Sequence, residues 1–211
     1  MEKNKNISMA VIKRLPKYYR YLEELMKNDV DRISSKELGE KIGFTASQIR
    51  QDLNCFGDFG QQGYGYNVKE LYTQISSILG LDRGYEAALV GAGNIGQAVS
   101  NYSRFENLGF KITAIFDANP KLIGMKIRDV EIMDIDDMES VLNDHKIDIG
   151  IICVPRKNAQ IVGDELIKGG VRAIWNFAPV DLVVPDGVNV ENVHLSESLM
   201  TLIYLLNEGD N

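Results

Sequence analysis

Between Glu86 and Ser100 the chain reads EAALVGAGNIGQAVS, and few segments leave the backbone so little choice. Ala87–Val90 is a short apolar run of the kind buried inside a parallel sheet. Gly91, Gly93 and Gly96 then fall at the G-x-G-x-x-G spacing. The first makes the tight turn, the second lets a pyrophosphate reach the backbone, and the third lets a helix lie close on its strand. Ala92, Asn94 and Ile95 fill the turn, and a helix opening at Asn94 aims its amide end at the phosphates. A second strand, KITAIFD, ends in Asp117, 21 residues after Gly96. An acid there accepts hydrogen bonds from the adenosine ribose hydroxyls and repels a 2′-phosphate, favouring NAD over NADP.

Further strands are predicted at 148–155, 171–179 and 189–195, with helices at 136–145 and 157–169. This alternation gives a doubly wound parallel sheet of Rossmann type. The loops at Val154-Pro155 and Phe177-Ala178-Pro179 follow two of its strands and are expected to line the crevice. A Rossmann-like domain holding another nucleotide, such as coenzyme A, is the alternative on these residues, and DANPKLIGMKIRDVEI suits it too.

The first 82 residues read differently. Apolar residues from Val11 to Met26 keep a three-four period interrupted at Pro16, where a new helix is expected to start. Ser34 and Glu37 form a capping-box pattern, Leu38 and Ile42 give a buried face, and Gly43 ends that helix. Thr45 opens another, with Gln48 as a second capping box. In it Ile49, Leu53 and Phe56 face inward, leaving Ser47, Gln48, Arg50, Gln51 and Asn54 outside, and Asp52 as the only acid. Helix, tight turn, helix with a donor-rich face is the helix-turn-helix arrangement, whose second helix enters the major groove. The glycine-rich GDFGQQGYGYNV that follows is expected to form a β-hairpin, the wing of a winged helix, with Gln61, Gln62, Gly63 and Tyr64 at its DNA-facing tip. Val68–Leu81 resumes helical spacing, and GLDRG reads as a linker.

Charge is split in the same way. Up to residue 80 there are 12 Lys/Arg against 10 Asp/Glu, and beyond it 11 against 20, a balance of +2 and then −9. Lys13, Arg14 and Lys17 are expected to meet phosphate, since local charge and not net charge decides contact. No signal-peptide core or bilayer-length apolar run is present, and Cys55 and Cys153 read as buried free thiols, so a cytoplasmic protein is expected. Neither cysteine has the spacing of a metal site. An oxidoreductase with an accessory helical domain is the alternative function. Little chain remains to build a substrate domain, however. His145 lies in a polar context and His194 reads as packing or a switch element. The tail SESLMTLIYLLNEGDN is a strongly apolar helix, better suited to docking on a partner than to catalysis. The nucleotide is therefore expected to be read and not consumed, with no catalytic residue.

Taken together, SSKELGEKIGFTASQIRQDLNCFGDFGQQGYGYNV, VGAGNIG, FD, VP and NFAP, in this order, resemble the Rex family of redox-sensing transcriptional repressors over essentially the whole chain. The resemblance implies a DNA-binding domain at 1–82, an NAD(H)-binding domain at 83–195 and a dimerisation helix at 196–211 exchanged between subunits through Leu199, Leu202, Ile203 and Leu206. It further implies a homodimer on a palindromic operator, released by NADH, while NAD+ competes without releasing it. Relatives usually carry Lys where Gln51 stands, and a basic residue at the tip where Gln61-Gln62 stand. In some relatives an acid before the last helix joins a switch network with an arginine and a tyrosine. Arg20 and Tyr102 match those two, and His194 occupies the acid's place.

Overall fold

Pro16 sets how the chain begins. It lacks an amide hydrogen, so it fits only the first turn of a helix. In the computed structural model, which describes residues 7–57, 59 and 64–208, helix α1 (Met9–Ile12) is capped by Ser8, and α2 (Leu15–Lys27) restarts around that proline. Backbone contacts divide the chain into two units, Met1–Arg83 and Gly84–Asn211.

In the first unit, strand β1 (Arg32–Ile33) precedes α3 (Ser35–Ile42), whose capping box closes in both directions between Ser34 and Glu37. Gly43, at φ 77°, ends α3 in the left-handed conformation, and Thr45 caps α4 (Ala46–Asn54). The second capping box is only half made. The Thr45 hydroxyl accepts from the Gln48 amide nitrogen, but the Gln48 side chain donates to Asp52 instead. Strand β2 (Tyr66–Asn67) leads into α5 (Val68–Leu79), which Gly80 terminates. Leu15, Tyr18, Leu22, Leu38, Ile49, Leu53, Val68 and Ile75, each at most 1% exposed, form the core these helices share. The expected hairpin takes another form. Among the described residues, the one strand of the glycine-rich stretch pairs antiparallel with β1, Ile33 opposite Tyr66. Gly65, at φ 71°, sits where a Cβ would lie 2.7 Å from the Ile33 oxygen, so the crossing requires glycine. The tip residues Gln61, Gln62 and Gly63 lie outside the described residues.

The second unit runs β3 (Tyr85–Val90), α6 (Asn94–Ser100), α7 (Arg104–Asn107), β4 (Phe110–Asp117), β5 (Lys126–Ile127), β6 (Val130–Asp134), α8 (Met138–Asp144), β7 (Ile149–Ile152), α9 (Arg156–Lys168), β8 (Ala173–Asn176), β9 (Asn189–Asn192) and α10 (Leu195–Glu208). The sheet order is β5-β6-β4-β3-β7-β8-β9, parallel except for the edge strand β5. Side chains alternate across it. Ala88 and Val90 join Phe116, Met138, Ile152 and Leu166 on one face, while Ala87 and Leu89 join Ile115, Ile132 and Ile151 on the other. The β5–β6 hairpin was not anticipated from sequence. Its strands are short, and they turn at Arg128, which adopts the left-handed φ of 53° that favours glycine or asparagine.

From β3 the chain winds outward through β4 to β6, and then outward the other way through β7 to β9. The topological switch point therefore lies between β3 and β7, and a crevice opens at their carboxyl ends. The approach of α6 to this sheet depends on Gly96, where a Cβ would come within 1.9 Å of the Gly91 carbonyl oxygen. Gly96→Ala is expected to lower stability by about 1–3 kcal/mol through overpacking, read as a lower urea midpoint in equilibrium unfolding.

Candidate functional site

The carboxyl edge of the sheet carries a groove of about 890 Å³, within the range of small-ligand and cofactor sites. Gly91, Gly93, Asp117, Val154 and Pro155 line it, as the sequence anticipated, together with Ala118, Ile135, Asp136, Asn158 and Ile161, which it did not. These additional residues follow β4 and β6 or sit on α9, and without the β6 assignment nothing in the sequence brought Ile135 and Asp136 to the groove.

The three glycines answer to different demands. Gly91 has φ 102°, and a Cβ there would strike the Cys153 carbonyl 2.7 Å away, so it serves the turn and the β7 contact. Gly96 serves helix packing. At Gly93 a Cβ would meet nothing within 4 Å, so the chain's own packing does not call for glycine there. The open flank borders the groove and leaves room for a ligand to approach the backbone. Gly93 is also the N-cap of α6 and offers no side chain to its first amides, and Asn94 and Ile95 stand exposed beside it. Ala92 is buried, and its amide donates to Asp117 Oδ2 at 2.6 Å, while the Asn119 amide donates to Oδ1 at 2.7 Å. Two backbone donors thus fix the Asp117 carboxylate, which keeps acceptor capacity for sugar hydroxyls. With Asp136 nearby on the groove wall, this end is acidic and hostile to an additional phosphate.

Cys153 lies on the groove wall, and burial pushes its thiol up to about 12, so it stays protonated and packs as an apolar group. The expectation that Phe177, Ala178 and Pro179 line this groove needs correction. Ala178 is buried, with its amide donating to Asn176 Oδ1, and the Phe177 ring lies tilted against Trp175, 4.7 Å between centroids. Pro179 is exposed, and none of the three reaches the groove wall. Tyr102 is 48% exposed, with its ring 4.8 Å from Phe105. His194 Nε2 lies 3.1 Å from Asp181 Oδ1, so an acid does stand at this place, contributed by the loop after β8. Arg20 is exposed on α2.

In the first unit, Thr45, Ser47, Arg50, Gln51 and Asn54 are exposed along α4, and Gln48 is half-buried. Arg50 donates to Ser35 Oγ, tying α4 to α3. Lys13 is exposed, Lys17 Nζ lies 5.2 Å over the Phe44 ring, and Tyr64 is 71% exposed. Arg14 is placed differently from the sequence expectation of a phosphate contact. Its guanidinium grips Asp52 with Nε and Nη2, at 2.6 and 2.8 Å. Asp52 also accepts from Tyr18 Oη and Gln48 Nε2, and is 1% exposed. Sequence periodicity had shown Asp52 only as the one acid of the helix; its buried partners lie 34 and 38 residues away.

A helix-turn-helix unit followed by a dinucleotide-type sheet defines a DNA-binding regulator that reads a nucleotide. Residues 6–54 match the family described as "Putative DNA-binding protein N-terminus", and residues 82–180 match "CoA binding domain". Over 211 residues and the full length of both chains, the protein is 92% identical to the redox-sensing transcriptional repressor Rex of Clostridium beijerinckii. It is 70% identical over 210 residues to that of Clostridium perfringens, covering 100% of this chain and 99% of the relative. The crystal structure of RSP in complex with β-NAD+ and operator DNA superposes with TM-score 0.92 at 62% identity, covering 97% of this chain and 94% of that one. RSP in complex with β-NADH gives TM-score 0.91 at 59% identity, covering 97% and 96%. The chain belongs to the Rex family of redox-sensing transcriptional repressors, and is a regulator built on a dehydrogenase-like fold.

Two measurements check this geometry. Gly93→Ala should leave stability within about 0.5 kcal/mol of the parent, yet weaken nucleotide binding by about tenfold or more in calorimetry, because only the ligand needs that space. At Asp52, burial raises the carboxyl pKa, but hydrogen bonds from Arg14, Tyr18 and Gln48 together pull it below the ordinary 3.8. A depressed folded value means its contribution is complete above 3.8 and fades as the pH drops toward the folded value. Arg14→Leu should therefore cost about 2 kcal/mol at neutral pH and flatten the acid limb of a urea-unfolding pH series.

Proposed function

We propose that the protein represses transcription as a homodimer that holds a palindromic operator through two α4 helices and lets go when NADH occupies its grooves. The observation that carries this reading is the joining, in one chain, of an uncapped glycine turn with an open flank at Gly93 to a helix-turn-helix with a polar outer face. The relatives bound to NAD+ with operator DNA, and to NADH, lend it direct support.

Dimerisation is supported by α10. Leu195, Leu199, Met200, Leu202, Ile203, Tyr204, Leu205 and Leu206 are each between 48% and 66% exposed, and together they occupy more than one face of the helix. A helix with this much exposed apolar surface belongs against a partner surface, and covering these side chains contributes on the order of 10 kcal/mol. A second copy of the chain, exchanging the same helix, supplies that cover. No described helix is long and apolar enough to cross a membrane, and no cluster of metal-binding side chains occurs among the described residues.

The ligand supplies one chemical difference. Its reduced nicotinamide ring is neutral, whereas the oxidised ring carries a charge that resists burial. Gly91–Gly96 and Asp117 bind parts common to both forms, so they hold the ligand without telling the forms apart. Preference for NADH then comes from closing an apolar subunit interface around the uncharged ring, which shifts the dimer toward a shape with mismatched α4 spacing. Fluorescence anisotropy on an operator fragment tests this. Saturating NADH should weaken binding by about tenfold or more and NAD+ by less than about threefold; equal effects of the two would overturn the redox assignment.

A further inference from the structure

An acid on the inner side of a DNA-reading helix calls for an explanation, and the bonds made by Asp52 provide one. Its carboxylate can only accept, and it receives four bonds: two from Arg14, one from Tyr18 and one from Gln48 Nε2 at 2.9 Å. The Arg14 charge neutralises it, so at 1% exposure it presents no repulsion to phosphate. Its effect on Gln48 is directional. A primary amide has a donor end and an acceptor end, and only the donor end can face a carboxylate. The Gln48 Oε1 is therefore held away from Asp52. Gln48 is the third residue of α4, in the first turn, where a helix lying in the major groove meets base edges. The half-burial of its side chain and its bond to Asp52 leave it little rotational freedom.

We propose that Asp52 is a positioning residue that locks the Gln48 amide with Oε1 turned outward, so that each α4 reads one base bearing an exocyclic amino group, adenine. Adenine presents an N6 donor beside the N7 acceptor, and Gln48 answers with Oε1 and its second Nε2 hydrogen. The arrangement selects against guanine and thymine, which show an acceptor where adenine shows its amino group. This rests on α4 being the recognition helix. It adds that the specificity of one operator position is set by a side chain with no DNA contact of its own.

The test uses the full-length protein and a set of operator duplexes in which each half-site base pair is changed in turn. One adenine per half-site should stand out, and replacing it by purine, which lacks the amino group, should weaken wild-type binding by about tenfold. Gln48→Ala should abolish the penalty at that position and leave the others intact. Asp52→Asn, whose amide can meet Gln48 with either end, should shrink the penalty to less than about threefold while NADH affinity in calorimetry stays unchanged. Retention of the full penalty in Asp52→Asn, or a Gln48→Ala profile identical to wild type at every position, overturns the assignment. Should Asp52→Asn fail to fold, Asp52→Glu, which keeps the charge but moves the carboxylate by one methylene, takes its place, and an undiminished penalty there overturns the assignment. Wild-type protein that binds operator no better than a scrambled duplex overturns the recognition-helix reading itself, and this assignment with it.

Discussion

The backbone contact between α6 and the Gly91 turn governs the second unit. With a Cβ at Gly96 only 1.9 Å from the Gly91 oxygen, α6 could not seat where it does, and its first amides would leave the groove. Gly91 in turn abuts the Cys153 carbonyl at the end of β7, so the same few atoms join β3, β7 and α6. Asp117 extends this frame to β4 through its bond from the Ala92 amide. The groove is thus preorganised at the Gly91–Asp117 end, which lowers the ordering cost of binding there.

The DNA-binding unit adds a polar fastening to its apolar core. A largely buried ion pair with two additional donors ties α2 to α4. Such a pair adds little net stability compared with well-packed apolar residues, but breaking it leaves a costly uncompensated charge. What it supplies is orientation: the angle of α4 and the direction of one amide are both set by Asp52.

The glycine fingerprint, the strand-ending acid and the caps at Ser34 and Gly43 were legible in sequence because each acts within a few residues. The β5–β6 hairpin was not, since two- and five-residue strands hardly differ from loop in composition. The true partner of Tyr66 was hidden for the same reason, with Ile33 lying 33 positions earlier. The Arg14–Asp52 pair was hidden because a surface arginine and one paired to a buried acid look alike until the acid is located. Phe177–Pro179 were placed correctly after a strand, but whether a loop folds over a groove or away from it depends on ring packing that periodicity does not carry. The Asp181–His194 pair bridges 13 residues across an irregular loop, beyond the reach of any periodic pattern.

One consequence of α10 concerns gene dosage. The exposed apolar side chains of α10 suit a lone chain poorly to water, and on the homodimer proposed above each new copy would gain by pairing early. In that proposed homodimer, two sensing grooves would enter the cell as a matched set, and a defective copy would disable the sound one it captures. Loss-of-function alleles that spare this tail should accordingly behave as dominant, whereas those that delete it should be silent beside a healthy gene.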